Sequence, residues 1–199
     1  LRGASYLDIL AAGGGILDTV RHTRDASEES LFEKSMGFLD EMLSLGVTAV
    51  ESKSGYGLDR ENEWKQLRVN RRLDEAHPVE VVSTFLGAHA VPPEYTGRAE
   101  EYVDLLCGQV LPAVAAEHLA EFCDVFCETG VFDVPQSRKL LQAAKALGLG
   151  LRIHADEIDE LGGAALAGEL GAVSAEHLIA TGERGMDAMA KGGVIADLL

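Results

Sequence analysis

Short apolar runs alternate along this chain with longer stretches in which apolar residues recur every three or four positions. The runs lie at residues 47–51, 79–86, 122–127, 150–153, 172–176 and 193–196. They are rich in β-branched residues and are hardly interrupted by polar ones. This pattern predicts strands that are covered on both faces.

The amphipathic stretches around these runs predict helices at residues 30–45, 60–76, 98–119, 137–147, 163–170 and 184–190. Several of them stop at a glycine, as Leu45-Gly46 and Leu170-Gly171 do, and glycine is a common residue just after a helix end. The region before residue 47 is predicted to hold one helix and an irregular lead-in without a strand.

Strands that alternate with helices predict a parallel sheet. Six strand–helix units are two fewer than the eight of a (β/α)8 barrel, which usually needs about 250 residues. We therefore predict one partial α/β domain over residues 1–199, built as an incomplete (β/α)8 TIM barrel. No Gly-x-Gly-x-x-Gly motif follows a first predicted strand, so a dinucleotide-binding sheet finds no support.

The amino-acid composition argues against several classes of function. The formal net charge of −16 would repel a phosphate backbone, so nucleic-acid binding is not expected. No apolar run approaches the roughly 20 residues of a membrane-spanning helix, and no charged-then-apolar leader indicates secretion. The three cysteines lie in or beside apolar segments and are interpreted as reduced thiols of a cytoplasmic protein.

Histidines mark the ends of three predicted strands. His89, His154 and His177 each fall where a strand ends. Active sites of (β/α)8 barrels lie at the carboxyl ends of the strands, so these side chains would converge on one opening. Such convergence is typical of metal hydrolases and of proton-transfer sites. The remaining histidines are predicted to be surface or helix-end residues: His22, His77 and His118.

His154 is the best candidate for a metal ligand, because a residue at the end of a buried strand is held rigidly. A catalytic zinc or iron site needs about three protein ligands. The residues alone leave open whether His89 and His177 join His154. Glu157 could accept a proton or a hydrogen bond from a substrate, and His177 could activate a water molecule.

Two further residues have alternative interpretations. Tyr56 stands between two glycines, which permit a tight loop and the close approach of a ligand. Its hydroxyl suits a carboxylate or carbonyl group, but a tyrosine packed on the surface of a loop is the alternative. Asp156 could orient a neighbouring side chain or cap the next helix.

Five strings of residues together resemble the imidazolonepropionase family of metal-dependent amidohydrolases, and the resemblance extends over essentially the whole chain. The strings are Thr48-Ala-Val-Glu-Ser-Lys-Ser-Gly-Tyr-Gly-Leu58, Thr84-Phe-Leu-Gly-Ala-His-Ala-Val-Pro-Pro-Glu-Tyr95, Phe122-Cys-Asp-Val-Phe-Cys-Glu128, Ile153-His-Ala-Asp-Glu157 and Ser174-Ala-Glu-His-Leu178. The resemblance implies an amidohydrolase-type barrel with one divalent metal, zinc or iron. It also implies an activity in histidine degradation, the hydrolysis of 4-imidazolone-5-propanoate to N-formimidoyl-L-glutamate.

The resemblance assigns a role to five residues. His154 corresponds to a metal ligand, and Tyr56, His89 and Glu157 correspond to contacts with the small-molecule substrate. His177 and Glu157 correspond to catalytic residues. A homodimer is suggested by the resemblance alone.

The sequence also departs from the family pattern. The family uses a His-x-His pair on its first strand, a nearby arginine and an aspartate on its last strand. None of these is found here, and Asp197 does not match that aspartate. The chain thus resembles a central part of the enzyme without the first and last barrel strands, and we expect the segment alone to be inactive. The alternatives are a non-catalytic truncated barrel that acts as a scaffold or partner, and a related cyclic amidohydrolase with another substrate.

Overall fold

The computed structural model describes residues 15–198 of the chain. Two helices, α1 (Ile16–Asp25) and α2 (Glu28–Ser44), precede the first strand. The predicted irregular lead-in is therefore wrong for residues 16–25. Only Ile16 and Val20 are buried on α1, so its apolar periodicity is too weak to predict a helix. Helix α2 begins where the Ser27 side chain accepts a hydrogen bond from the Ser30 amide at 3.1 Å, which is typical helix capping.

Each predicted strand is present within a few residues of its expected position. The strands are β1 (Ala49–Lys53), β2 (Glu80–Ala88), β3 (Phe122–Cys127), β4 (Gly150–Ala155), β5 (Ser174–His177) and β6 (Ile195–Asp197). The helices that follow β1, β3, β4 and β5 are α3 (Arg60–Ala76), α6 (Val134–Ala146), α7 (Gly163–Leu170) and α8 (Glu183–Gly192).

The connection between β2 and β3 differs from the single helix predicted over residues 98–119. It contains a short 3-10 turn (Pro93–Tyr95), helix α4 (Ala99–Leu105), a widened π-helical turn (Leu106–Val110) and helix α5 (Leu111–Ala116). Pro112 lies in the first turn of α5. Proline lacks an amide N–H and collides with the preceding turn, so the wider turn before it accommodates the residue within a continuous helical path.

The six strands of the described region form one sheet in the order β1-β2-β3-β4-β5-β6, and all neighbouring pairs are parallel. The sheet is strongly curled. In a flat sheet β1 and β5 would lie about 19 Å apart, four strand spacings of about 4.8 Å. The Lys53 ammonium on β1 nevertheless lies 3.3 Å from the Glu176 carboxylate on β5. The structure is therefore a half-barrel, which confirms the predicted fold class.

The main apolar core lies between the convex face of the sheet and the outer helices. It includes Phe85, Leu106, Leu140 and Ile153, each 0% exposed. The largest buried aromatic residue, Tyr102, donates its hydroxyl to the Gly87 carbonyl at 2.8 Å, so its polar atom is satisfied. Within residues 15–198 no helix combines the length and the apolar character needed to cross a bilayer.

The Asp156 side chain caps helix α7. It does not orient one of the candidate catalytic side chains. Its carboxylate is fully buried and accepts the amides of Gly162, Gly163 and Ala164 at 3.0 to 3.2 Å, where α7 begins. The Thr181 hydroxyl also donates to it at 3.2 Å. One carboxylate thus connects the β4 loop, the start of α7 and the loop after β5.

We predict that Asp156→Ala lowers the free energy of unfolding by about 3 kcal/mol, because several buried amides lose a charged acceptor. The matched control is Asp133→Ala. Asp133 is exposed and caps α6 through a capping box with Gln136, a loss of about 1 kcal/mol. Urea unfolding of both variants provides the measurement, and equal losses would contradict the role assigned to Asp156.

Candidate active site

A cavity of about 320 Å³ opens at the carboxyl ends of strands β1 to β5. Its wall contains all five residues that the sequence nominated, together with side chains of α1, β1, β2 and β3. The lining residues are Ile16, Lys53, Ser54, Tyr56, Leu86, His89, Phe126, His154, Glu157 and His177. A cavity of similar size, about 330 Å³, lies outside the barrel against α6, α7 and α8 and contains none of the five.

The aromatic rings in the cavity form a continuous row. The Tyr56 and His89 rings meet edge to face with centroids 5.1 Å apart. The His89 and His154 centroids are 6.2 Å apart, and those of His154 and His177 are 5.3 Å apart. At the end of the row, His177 Nε2 lies 3.8 Å from a Glu157 carboxylate oxygen. Side chains at the carboxyl ends of four strands, β1, β2, β4 and β5, therefore face one small volume.

The tautomer of His89 follows from its surroundings. Its Nδ1 lies 3.1 Å from the Gly55 carbonyl oxygen. A carbonyl can only accept a hydrogen bond, so Nδ1 must carry the proton. Burial, and secondarily the charge of His154, lower the pKa of His89 to about 4. The ring is therefore neutral near pH 7, and its Nε2 is left as an acceptor.

His154 is held from inside the barrel. Its Nδ1 lies 3.0 Å from Asp124 Oδ2 and 3.1 Å from Glu176 Oε2. Burial alone would lower the pKa of His154, but the charge of Asp124 and the contact with it outweigh this effect and raise the pKa. Nδ1 faces the two carboxylates at ion-pair distance without a well-aligned hydrogen bond to either, and Nε2 is the ring nitrogen that remains for a ligand.

The Lys53 ammonium lies among the same carboxylates. It donates to Asp124 at 2.8 Å and to Glu51 at 2.9 Å, and it lies 3.3 Å from Glu176. Burial would lower the pKa of Lys53, but Asp124 and Glu176 raise it to about 12. Lys53 is therefore a permanent cation at working pH.

Asp124 and Glu176 respond differently to this cluster. Burial would raise the pKa of both, but the charges of His154 and Lys53 leave the pKa of Asp124 below its usual range. Burial and the neighbouring Asp124 charge raise the pKa of Glu176 to about 7. Of these two carboxyl groups, Asp124 is therefore the one that stays ionised near neutral pH.

The side-chain donors of Asp124, His154 and Glu176 lie within 4.8 Å of one another. Carboxylate and imidazole donors are common ligands of divalent metals, and the cluster suggests such a metal at this end of the barrel. Both carboxylates already hold the Lys53 ammonium. This arrangement fits a supporting role, in which they hold Nδ1 of His154 while a metal approaches Nε2.

His177 reaches the cavity through an unusual backbone. Glu176 faces the barrel interior, so alternation along β5 would point the next residue toward the outer helices. His177 and Leu178 both have positive φ values, 71° and 59°, and the chain turns back into the opening. Such backbone costs of the order of 1–3 kcal/mol per residue and is concentrated at functional sites.

Sequence reasoning missed the charged residues inside the barrel: Glu51, Lys53, Asp124, Arg152 and Glu176. They occupy alternate positions within strands that otherwise read as apolar. A barrel interior is usually filled by branched apolar side chains. Charged residues with a period of two were therefore the signal that could have identified them.

No protein-family model matches the chain. Imidazolonepropionases from Alkaliphilus metalliredigens and Clostridium tetani are 58% and 57% identical to it over 199 residues. The matches cover 100% of this chain but 47% and 48% of the two relatives. The chain spans about half the length of the curated relatives it matches.

Solved structures share the fold at low sequence identity. A 5-methylcytosine deaminase from Klebsiella pneumoniae liganded with 5-fluorocytosine has a TM-score of 0.68 at 13% identity, over 91% of this chain and 46% of that chain. A mutant organophosphorus hydrolase from Deinococcus radiodurans has a TM-score of 0.56 at 14% identity, over 89% of this chain and 58% of that chain. At this level of identity the likeness shows the fold alone, a barrel of parallel strands and outer helices.

We predict that Lys53→Met lowers the free energy of unfolding by about 3 kcal/mol, because it leaves buried carboxylates without their cation. Lys139→Met is the matched control, since Lys139 also bridges two carboxylates, those of Glu100 and Asp104, but on the surface. For Lys139→Met we expect only a small change in the free energy of unfolding, because exposed ion pairs contribute little to stability. A Lys53→Met protein as stable as the Lys139→Met protein in urea would contradict the role of Lys53.

We also predict that ¹⁵N NMR of the metal-free protein finds His89 as the neutral Nδ1–H tautomer from pH 8 to pH 5.5. Its pKa of about 4 places protonation below that range. The signal is assigned by its loss in His89→Asn. A titration midpoint above pH 6 would contradict the burial that lowers this pKa, and a predominant Nε2–H tautomer would contradict the hydrogen bond to the Gly55 carbonyl.

Proposed function

We propose that the protein carrying this chain hydrolyses 4-imidazolone-5-propanoate to N-formimidoyl-L-glutamate, on the premise that the chain is homologous along its whole length to imidazolonepropionases. One observation carries the proposal. The five residues nominated by the family resemblance, which lie on four separate stretches of sequence, line a single cavity at the carboxyl ends of the strands. The cavity is small enough to suit a ring compound with a short side chain.

His154 is the proposed metal ligand of this segment, through Nε2. Asp124 and Glu176 support it from the other side of the ring, which fixes its orientation and increases its basicity as a ligand. A zinc or iron ion bound there would lower the pKa of water and supply hydroxide near neutral pH. The remaining steps belong to the side chains of the cavity.

Tyr56 and His89 are proposed to bind the substrate. The Tyr56 hydroxyl can donate to the propanoate or to the ring carbonyl, while the neutral Nε2 of His89 can accept a hydrogen bond from a ring N–H. The two rings contact each other edge to face, so neither can rotate freely. Holding the ring in a defined pose contributes a large part of a rate enhancement.

His177 and Glu157 are proposed to move the protons. Water adds to the ring carbonyl carbon, and His177 accepts a proton from it. The carbon–nitrogen bond then breaks, and the departing ring nitrogen takes up the proton that His177 accepted from the water. Glu157 contacts the ring and lies 3.8 Å from His177 Nε2, where its charge favours the protonated imidazole during the reaction.

The experiment below also distinguishes the two alternative functions, a related cyclic amidohydrolase and a non-catalytic scaffold. A related cyclic amidohydrolase would retain His154 and the barrel, since fold does not fix substrate. A non-catalytic scaffold would have no need for strained backbone at His177 or for a convergent row of rings. The cytoplasmic location and the homodimer stay predictions.

The test is an assay of the protein encoded by the whole reading frame that contains this segment. We expect turnover of 4-imidazolone-5-propanoate, followed as loss of its ultraviolet absorbance, with one zinc or iron per chain by elemental analysis. We expect His154→Ala to lose the metal. Metal-loaded protein without turnover would defeat the proposal, and turnover of another cyclic amide alone would favour the related amidohydrolase.

We predict that His177→Asn lowers kcat by about 10²–10⁴-fold, the usual contribution of a general acid–base residue, while the metal content stays unchanged. The matched control is His118→Asn. His118 is exposed and has a positive φ of 51°, which asparagine tolerates well. A His177→Asn enzyme as active as the His118→Asn enzyme would exclude His177 from proton transfer.

A further inference from the structure

Glu63 is a fully buried carboxylate that no proposed step of the reaction uses. It lies in the first turn of α3 with 0% of its surface exposed. Its side chain folds back onto the loop between β1 and α3. There it accepts the amide hydrogens of Gly55 at 3.0 Å, Gly57 at 2.8 Å and Leu58 at 2.9 Å.

This carboxylate is not needed to cap its own helix. The Asp59 side chain already accepts the Asn62 amide at 2.8 Å and caps α3. The three amides bound by Glu63 all belong to the loop. Burial raises the pKa of Glu63, and hydrogen bonds from Ser54 and the loop amides oppose that rise. The side chain therefore acts on the loop and not on the helix.

The backbone of this loop is tightly packed at its two glycines. Gly55 has a φ of +101°, and a Cβ atom there would lie 2.7 Å from the Leu86 carbonyl oxygen. A Cβ atom on Gly57 would lie 2.5 Å from the backbone of Asn62 and of Glu63. Only glycine permits this close approach, and the approach is what brings three loop amides to one carboxylate.

Two of the proposed substrate contacts, Tyr56 and His89, depend on this loop. Tyr56 lies between the two glycines whose amides Glu63 binds. The Gly55 carbonyl, in the same residue that donates to Glu63, accepts the Nδ1 proton of His89. On the outer side, Arg24 of α1 donates to the Gly57 carbonyl at 2.7 Å. Glu63 is therefore one residue away from Tyr56 and two hydrogen bonds away from His89.

We propose that Glu63 is a positioning residue, which holds the loop of residues 54–59 so that the Tyr56 hydroxyl and His89 Nε2 both face the substrate. This inference rests on the proposed function. Glu63 does not line the cavity, so it acts only through the loop. We expect its effect on substrate binding, because within residues 15–198 no hydrogen bond joins His154 or His177 to this loop.

The test compares Glu63→Gln with Glu61→Gln in the protein encoded by the whole reading frame. Glutamine keeps the shape of glutamate, but its NH₂ group faces an amide donor of the loop and cannot accept. We expect KM to rise on the order of tenfold, the effect of losing a hydrogen bond to a charged group, while kcat changes by less than about threefold. Glu61 is exposed in the same helical turn, and its variant should match the wild type.

Two further readouts separate positioning from mere stability. In Glu63→Gln the ¹⁵N signals of His89 should move toward a mixture of tautomers, since the Gly55 carbonyl is no longer fixed. In a Tyr56→Phe background the effect of Glu63→Gln on KM should shrink, because the two changes act on the same contact. A stable Glu63→Gln enzyme with unchanged KM and unchanged His89 signals would overturn the proposal.

A measurement on the unaltered protein covers the case in which the variant fails to fold. Hydrogen exchange should find the amides of Gly55, Gly57 and Leu58 protected as strongly as those of α3, and rapid exchange would overturn the proposal. If the unaltered protein is inactive on the imidazolone, the proposed function fails. The exchange and the His89 signals then still decide whether Glu63 holds the loop.

Discussion

The opening of this half-barrel depends on one ammonium group. Lys53 holds carboxylates from three strands, Glu51 on β1, Asp124 on β3 and Glu176 on β5. Without a cation, these groups would repel one another inside the sheet, and removing them from water would be costly. With it, the same carboxylates can contact Nδ1 of His154. The curl of the sheet and the orientation of the candidate metal ligand thus rest on one charge balance.

The loops above this charged layer are held in strained conformations by buried carboxylates. Leu58, Asp156, His177 and Leu178 all have positive φ values, which are unfavourable for residues other than glycine. Glu63 binds the amides of the first loop, and Asp156 binds those at the start of α7. Glu63 therefore stabilises the backbone that presents Tyr56, and Asp156 reaches the loop that follows His177 through the Thr181 hydroxyl. Strain that is held in this way pre-organises a site.

The segment contributes a defined share of the proposed chemistry. It provides the row of rings from Tyr56 to His177, the carboxylate of Glu157 and one proposed metal ligand, His154. The His-x-His pair and the aspartate that the family resemblance requires have no counterpart in these residues. This agrees with a chain that spans about half the length of its imidazolonepropionase relatives. The described residues therefore account for part of the proposed substrate positioning and for the proposed proton transfer.

Much of the fold could be predicted from the sequence, because strand and helix periodicities are local. All six strand positions and the parallel order follow from apolar runs and from glycines at helix ends. Helix α1 was missed because only Ile16 and Val20 are buried. The helix predicted at residues 98–119 was too long because the chain leaves the helical path after Ala116, where His118 has a positive φ of 51°. The five residues nominated for the site could also be found, since strand ends are visible in the sequence and the motifs are distinctive.

Only the tertiary structure decided the contacts between residues that are distant in sequence. Lys53 and Glu176 are 123 positions apart, and nothing local to either indicates that they meet. The same holds for Glu63, which reads as one more charge on a highly charged helix until its carboxylate is seen among loop amides. The sequence by itself determined which residues end strands. The curl of the sheet determined which of these residues form ion pairs and hydrogen bonds with one another. Such interactions need distances of about 3 Å between residues that are far apart in sequence, and only folding creates those distances.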